Sequence, residues 1–258
     1  MEHRSVEDQG LLYGNLGPHA YTTLRSEKGT RKADAYIRLA ATCDCCSPKN
    51  IALFEPVPEH VEKITEDFRD DDITLYQVAL GSEEKTMQMN VSDFEGQNAE
   101  LYKGMSTSLL KPSIHLEQYP HIKFNESIEV EVTTLDILAE EDEIVPEDFN
   151  FMNIDVQGYE YEVIKNGNNT IKDCLIIQLE TSPIPIYKNE KSFAHICLQL
   201  ENLGFQLHSF NKINTRCFKP VILQNNIYSG LNHLFQLDCV FIKKINLQKL
   251  TIKIFIHT

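Results

Sequence analysis

Three short apolar runs in this chain each end on an acidic residue. They cover residues 50–55, 151–155 and 175–180, and the acids are Glu55, Asp155 and Glu180. Continuous apolar runs of this length are typical of buried parallel strands. Because the carboxyl ends of parallel strands meet at one edge of a sheet, the pattern predicts that the three carboxylates converge on one cleft, where α/β sheets bind their ligands.

Two of these acids also have a purely structural interpretation. Asp155 precedes a helical pattern that begins at Tyr159, so it is either a site residue or the cap of that helix. Glu55 precedes Pro56. It either accepts hydrogen bonds from a ribose, as the acid after the second strand of a Rossmann sheet does, or is an exposed residue before a proline turn.

The remaining apolar periodicity predicts an α/β fold. Apolar residues at helical spacing predict helices at residues 33–42, 61–68 and 193–203, the last ending at Gly204. Further strands are predicted at residues 73–80, 86–91, 128–133, 205–210 and 234–242. The last two are expected to pair antiparallel at the sheet edge.

Length and composition predict one main domain. The chain has 258 residues, of which 42% are apolar, enough for one substantial core. Residues 1–49 are expected to form an irregular segment with one helix, and residues 50–242 the main domain. Residues 243–258 form a basic tail that either adds an edge strand or stays loose.

Charge and apolar run length argue against nucleic-acid and membrane partners. A formal net charge of -14 disfavours nucleic acid, because phosphate binding needs basic patches. No apolar run approaches the length of a membrane span, and no charged-then-apolar leader opens the chain, so we expect no membrane partner. The sequence gives no indication of an oligomeric state.

Cysteine usage favours a reducing, cytoplasmic compartment. The seven cysteines are an odd number in a chain too large to need disulfides. The cluster of Cys43, Cys45 and Cys46 has no second pair nearby to complete a four-ligand site, so no metal centre is expected.

Several motifs in register resemble the FkbM family of S-adenosylmethionine-dependent methyltransferases. They are residues 51–58 (Ile-Ala-Leu-Phe-Glu-Pro-Val-Pro), 104–110 (Gly-Met-Ser-Thr-Ser-Leu-Leu), 132–136 (Val-Thr-Thr-Leu-Asp), 151–160 (Phe-Met-Asn-Ile-Asp-Val-Gln-Gly-Tyr-Glu) and 179–180 (Leu-Glu). The resemblance implies a Rossmann-like fold with a mostly parallel sheet, helices on both faces and an antiparallel edge hairpin. It also implies methyl transfer from S-adenosylmethionine to a hydroxyl group of a sugar or other small molecule.

The resemblance also implies roles for individual residues. Glu55 would bind the cofactor ribose, and Ala79 and Leu80 would lie against its adenine. Asp155 and Gln157 would lie beside the methionine part and the transferred methyl group.

The remaining motif residues would lie nearer the acceptor. Ser106 and Ser108 would belong to a loop near cofactor and acceptor, and Glu180 would face the acceptor. A hydroxyl acceptor benefits from a base near its oxygen. His115, Asp155 and Glu180 are the candidates, and the sequence does not choose among them.

One family feature is missing. The family opens with a strand followed by Asp-x-Gly-Ala-x-x-Gly, whose glycines admit the cofactor. The window roughly 20 residues before Glu55 covers residues 30–38 and contains no glycine. An alternative interpretation is therefore a catalytically inactive methyltransferase-like protein that serves as a binding or scaffolding module.

Overall fold

The computed structural model of the chain describes residues 37–42, 48–69, 73–95, 103–216 and 233–244, with the backbone alone at residues 37–42, 48–50 and 147. The predicted tail at 243–258 is described only as far as Lys244, and the cysteines at 43, 45 and 46 lie outside these ranges. Among the described residues, no helix is long and apolar enough to cross a membrane.

A seven-stranded mixed sheet forms the centre of the molecule. Its strand order is β3-β2-β1-β7-β8-β10-β9. The strands are β1 (Ile37–Thr42), β2 (Pro48–Phe54), β3 (Ile73–Tyr76), β7 (Phe151–Ile154), β8 (Ile176–Thr181), β9 (Phe205–Arg216) and β10 (His233–Lys243).

The sheet is less parallel than expected. Within the described ranges, β2–β3 and β7–β8 are parallel, whereas β1 is antiparallel to both of its neighbours. Strand β10 is antiparallel to β8 and β9, so the predicted edge hairpin is confirmed. Because β1 opposes both β2 and β7, the strands β2, β3, β7 and β8 all point the same way.

The predicted helix at residues 33–42 is wrong where the structure describes it, because Ile37–Thr42 is strand β1. A short apolar run fits a helix and a strand almost equally well. Here the strand is favoured, because its position between β2 and β7 lets the backbone N–H and C=O groups form hydrogen bonds on both sides.

A second, three-stranded sheet has the order β4-β6-β5. Its strands are β4 (Ala79–Leu80), β5 (Lys85–Phe94) and β6 (Ile122–Thr133). The predicted single strand at residues 73–80 is thus divided between two sheets, since β3 pairs with β2 and β4 pairs with β6.

Helices pack on both faces of the large sheet. They are α1 (Pro58–Asp67), α2 (Ile114–Gln118), α3 (Leu135–Glu140), α4 (Glu160–Asn166), α5 (Asn168–Ile171) and α6 (Phe193–Asn202), with a 3-10 turn at Pro146–Asp148. On one face, Ile51 and Leu53 of β2 pack with Ile64 of α1. Their neighbours Ala52 and Phe54 point to the other face and share a core with residues of α3 to α6.

Candidate functional site

The three predicted strand-end acids lie on one edge of the large sheet. Ile37 of β1 faces Phe54 on one side and Ile154 on the other, and Ile154 faces Leu179. Glu55, Asp155 and Glu180 each directly follow one of the paired residues Phe54, Ile154 and Leu179. The backbones of the three acids therefore lie at the same height along the sheet. Neighbouring strands are roughly 4.8 Å apart, so β1 separates β2 from β7 by about 10 Å.

Glu55 is a buried carboxylate with an unused oxygen. Its Oε1 accepts a hydrogen bond from the Val57 amide at 2.8 Å, and its relative exposure is 0%. His60 Nδ1 lies 3.4 Å from the same oxygen, within ion-pair range but without hydrogen-bond geometry.

The other carboxylate oxygen of Glu55, Oε2, has no partner among the described residues. Such an atom is costly unless a donor reaches it, which a ligand hydroxyl would do. The interpretation of Glu55 as an exposed residue is wrong.

A narrow apolar cleft lies beside this end of β2. It is lined by Phe54, Pro56, Ala79, Leu80, Met89, Thr107, Leu109 and Val156. Its volume of about 20 Å³ holds about one water, so a flat ring entering it must displace side chains. The long, flexible Met89 side chain is suited to such movement. The predicted adenine residues Ala79 and Leu80 are thus next to the predicted ribose acid.

The hydroxyl-rich loop at residues 104–110 is buried and fixed. Ser108 is 0% exposed; its Oγ donates to the Gln157 carbonyl at 2.7 Å and accepts from the Leu110 amide at 2.9 Å. Gly104 has a φ of 84°, and a Cβ there would lie 2.4 Å from His60 Nε2. Ser108 therefore holds the turn that carries Gln157, with its hydroxyl already engaged.

Asp155 does not cap the helix that follows it. Helix α4 has Tyr159 at its N-cap, without a capping side-chain hydrogen bond. The intervening turn places Gln157 in the left-handed region, with φ of 51°. Glu160 holds this turn, because its Oε1 accepts from the amides of Val156 and Gly158, each at 3.1 Å. Burial and the neighbouring Glu190 raise the pKa of Glu160 to about 8.

A larger cavity opens on the Glu180 side of the same edge. Its volume is about 490 Å³. Its lining includes Ser106, His115, Tyr119, Asp155, Gln157, Glu180, Lys212, Gln236 and Asp238. Space for a small molecule thus adjoins two of the three strand-end acids.

Gln157 connects these two acids. Its Nε2 donates to Asp155 Oδ1 at 2.8 Å and to Glu180 Oε2 at 3.2 Å. Since carboxylates only accept hydrogen bonds, the Gln157 carbonyl oxygen must face away, where the Tyr187 hydroxyl donates to it at 3.0 Å.

A second amide reaches Glu180 from the hairpin. Gln236 Nε2 donates to Glu180 Oε2 at 3.0 Å, and the Tyr119 hydroxyl donates to Gln236 Oε1 at 2.9 Å. Sequence reasoning missed Gln236, Tyr119 and Tyr187. The only signal was a glutamine inside the apolar run at 234–237.

His115 is buried between two tyrosine rings. Its ring centroid lies 5.0 Å from that of Tyr119 and 5.3 Å from that of Tyr187. Burial and the neighbouring His121 lower the pKa of His115 to about 4. It is therefore neutral at pH 7, and its Nδ1 has no partner among the described residues.

Metal-binding geometry is not seen in the parts of the chain that the structure describes, where no group of three His, Cys, Asp or Glu residues could hold an ion. Cys174, Cys197 and Cys239 carry free thiols.

Comparison with known proteins identifies related sequences. The model of the methyltransferase FkbM domain matches residues 29–207. The 2-O-methyltransferase NoeI of Sinorhizobium fredii (strain NBRC 101917 / NGR234) is 28% identical over 138 residues. The match covers 53% of this chain and 55% of that protein, so the chain spans about half the length of this relative. No solved structure matches the chain.

Proposed function

Because the chain belongs to the FkbM methyltransferase family, we propose that it transfers a methyl group from S-adenosylmethionine to a hydroxyl oxygen of a sugar or another small molecule. The oxygen acceptor is supported by the relative, which is named a 2-O-methyltransferase. The acceptor class is supported by a cavity of small-molecule size beside Asp155 and Glu180.

The strand order supports a Rossmann-like methyltransferase fold. From β1 the chain builds outward through β2 and β3, and then returns to the other side of β1 through β7 and β8. Among the strands that point the same way, the chain runs outward from β2 to β3 on one side and from β7 to β8 on the other. The topological switch point, where open α/β sheets bind ligands, therefore lies between β2 and β7. Glu55 and Asp155 flank that point.

One end of the site fits the nucleoside of the cofactor. The unpartnered Oε2 of Glu55 would accept a ribose hydroxyl. Ala79 and Leu80 would pack against the adenine in the apolar cleft. This buried, unpaired oxygen beside an apolar cleft carries the proposal for cofactor binding.

The other end fits methyl transfer. S-adenosylmethionine, when bound, supplies an electrophilic methyl group on a positively charged sulfur. Asp155 would stabilise that charge, and Gln157 fixes the Asp155 side chain. The catalytic candidates are Asp155, Glu180 and His115. Their main task is to hold the acceptor oxygen in line with the methyl carbon and to receive its proton.

Cofactor binding tests the proposal directly. The demethylated cofactor S-adenosylhomocysteine at about 1 mM should raise the melting temperature of the wild-type protein, because a ligand that binds the folded state stabilises it. Glu55→Gln should weaken this binding by about tenfold, since one good hydrogen bond to a charged group contributes about that much.

Glu59→Gln, at an exposed side chain four residues away, is the matched control and should bind like the wild type. If the wild-type protein shows no shift, the binding or scaffolding alternative is favoured and the proposed activity is rejected.

A further inference from the structure

Two glutamine amides converge on a single oxygen of Glu180. Gln157 reaches Oε2 from the turn after β7, and Gln236 reaches it from β10. Each amide is oriented by its own tyrosine hydroxyl, from Tyr187 and Tyr119 respectively. We call Gln157 and Gln236 the amide clamp.

The clamp fixes both the position and the charge of Glu180. Two donated hydrogen bonds favour the ionised form of a carboxylate and restrict its rotamer. Burying such an arrangement costs free energy unless the oxygen and nitrogen of each amide have their own hydrogen-bond partners. Here both amides are satisfied, and the carboxylate they hold lines the 490 Å³ cavity.

Charge distinguishes Glu180 from His115 as the proton acceptor. When the proton goes to a carboxylate, methyl transfer would remove the positive charge of the sulfonium and the proton transfer the negative charge of the carboxylate, so the overall step would neutralise both charges. Proton transfer to His115 would instead leave a cation in a buried position that already disfavours it.

Position distinguishes Glu180 from Asp155. Asp155 directly follows β7, next to β1 and nearer Glu55, whereas Glu180 is the penultimate residue of β8, one strand farther towards the hairpin. Asp155 is therefore on the cofactor side and Glu180 on the acceptor side.

We propose that Glu180 is the catalytic base for the acceptor hydroxyl, and that Gln236 and Tyr119 are positioning residues that hold it ionised. This inference rests on the methyltransferase function proposed above. In the balanced step, the acceptor O–H bond breaks and its proton moves to Glu180. The acceptor oxygen bonds to the methyl carbon, and the electron pair of the methyl–sulfur bond stays on the sulfur, which becomes uncharged.

Several ionisable groups surround Glu180 and contribute to its titration. In the cross-strand register, Glu180 faces Asp238 of β10, which in turn faces Lys212 of β9. The others, which line the cavity or interact with the charge of Glu180, are Asp155, Glu160, His115, Tyr119 and Tyr187. The variants below change none of these charges at neutral pH except that of Glu180 itself.

Direct titration of Glu180 tests the clamp. Carbon-13 NMR of glutamate-labelled protein with bound S-adenosylhomocysteine, assigned with Glu180→Gln, should show an ionised Glu180 at pH 7. Gln236→Leu should move its titration midpoint upward by about one unit, because the lost hydrogen bond is stronger to the ionised carboxylate than to the protonated acid. Gln199→Leu is the control, because it breaks an amide–amide bond to Asn168 away from the cavity.

Tyr119 allows a test of whether it acts on Glu180 through Gln236. Tyr119→Phe should move the midpoint in the same direction by less, and it should add nothing in the Gln236→Leu background. An unmoved midpoint in Gln236→Leu, or full additivity of the two changes, would overturn the positioning role.

Methyl transfer to glycerol at about 1 M tests the base role, because a positioned base acts on any hydroxyl that fills the cavity. Glu180→Gln should lower the rate at least about a hundredfold, the usual contribution of general base catalysis, while S-adenosylhomocysteine binds as in the wild type. Equal rates in the two proteins, or no transfer to glycerol by cofactor-binding wild type, would reject Glu180 as the base. Loss of cofactor binding in the wild type would instead reject the proposed function.

Discussion

Glu160 holds the turn that presents the site residues, and it does so as a buried acid. Its Oε1 accepts two backbone amides, and its exposure is 2%. With a pKa of about 8, it keeps its proton at pH 7. The proton can reside on the other oxygen, so a neutral carboxyl group still satisfies both amides.

This acid makes stability depend on pH. Its pKa rises from 4.5 to about 8 on folding, so between these values the folded state keeps a proton that the unfolded state releases. The free energy of unfolding should therefore fall as pH rises from about 5 to 8, by about 2–4 kcal/mol from this group. Glu190, with a pKa raised to about 7 by burial, adds to the same trend.

Glu160→Gln should flatten this pH dependence in urea unfolding. Glu162→Gln, on the same helix and partly exposed, should leave it unchanged. Parallel curves for the wild type and Glu160→Gln would show that Glu160 does not carry the effect.

At the scale of elements, Asp136 connects helix α3 to helix α5. Its Oδ1 accepts from the backbone amide and hydroxyl of Thr170, both at 2.9 Å. Its Oδ2 accepts from the backbone and side-chain amides of Asn169 at 3.2 and 3.1 Å. The acid of the Val-Thr-Thr-Leu-Asp motif therefore has a structural role away from the site.

Asp136→Asn should lower stability without affecting the site. The new amide nitrogen cannot accept the hydrogen bonds made by the oxygen it replaces, which should cost roughly 1–3 kcal/mol. Denaturant unfolding measures this loss, and calorimetry should show unchanged affinity for S-adenosylhomocysteine. The control is Asp142→Asn, at an exposed residue with a φ of 59° that asparagine also tolerates. A matching loss of affinity in Asp136→Asn would place Asp136 in the site.

Elements also show what the sequence could predict. The strand ends at Glu55, Asp155 and Glu180 were predictable because a short apolar run and the acid after it are local features. Neither the strand conformation of β1, which was predicted as a helix, nor its direction was predictable, since a short apolar pattern fits both element types and is the same read either way. Gln236 lies 117 residues from Tyr119 along the chain, and a contact between such distant segments leaves no local pattern.

For the whole molecule, negative charge should select between two forms of the cofactor. The chain carries a net charge of -14, and Asp155, Glu180 and Asp238 line the cavity. S-adenosylmethionine has one more positive charge than S-adenosylhomocysteine. The affinity of S-adenosylmethionine relative to that of S-adenosylhomocysteine should therefore be higher at low ionic strength.

Calorimetric titration at about 0.01 M and about 1 M salt, where the screening length falls from ~30 to ~3 Å, should reveal this preference. The affinity advantage of the methylated form should fall by about threefold or more as salt is added. Uncharged adenosine should bind nearly equally at both concentrations. A salt-independent ratio would contradict electrostatic selection.

The single strand between Glu55 and Asp155 has an evolutionary consequence. The spacing between Glu55, at the proposed nucleoside end, and Asp155, at the proposed reacting end, is set by the width of one strand, which no surface insertion changes. Loops around the acceptor cavity can therefore lengthen, shorten or change composition while the two ends keep their separation. On the proposed function, new acceptors would become accessible through mutations at the cavity rim, with the methyl-transfer chemistry unchanged.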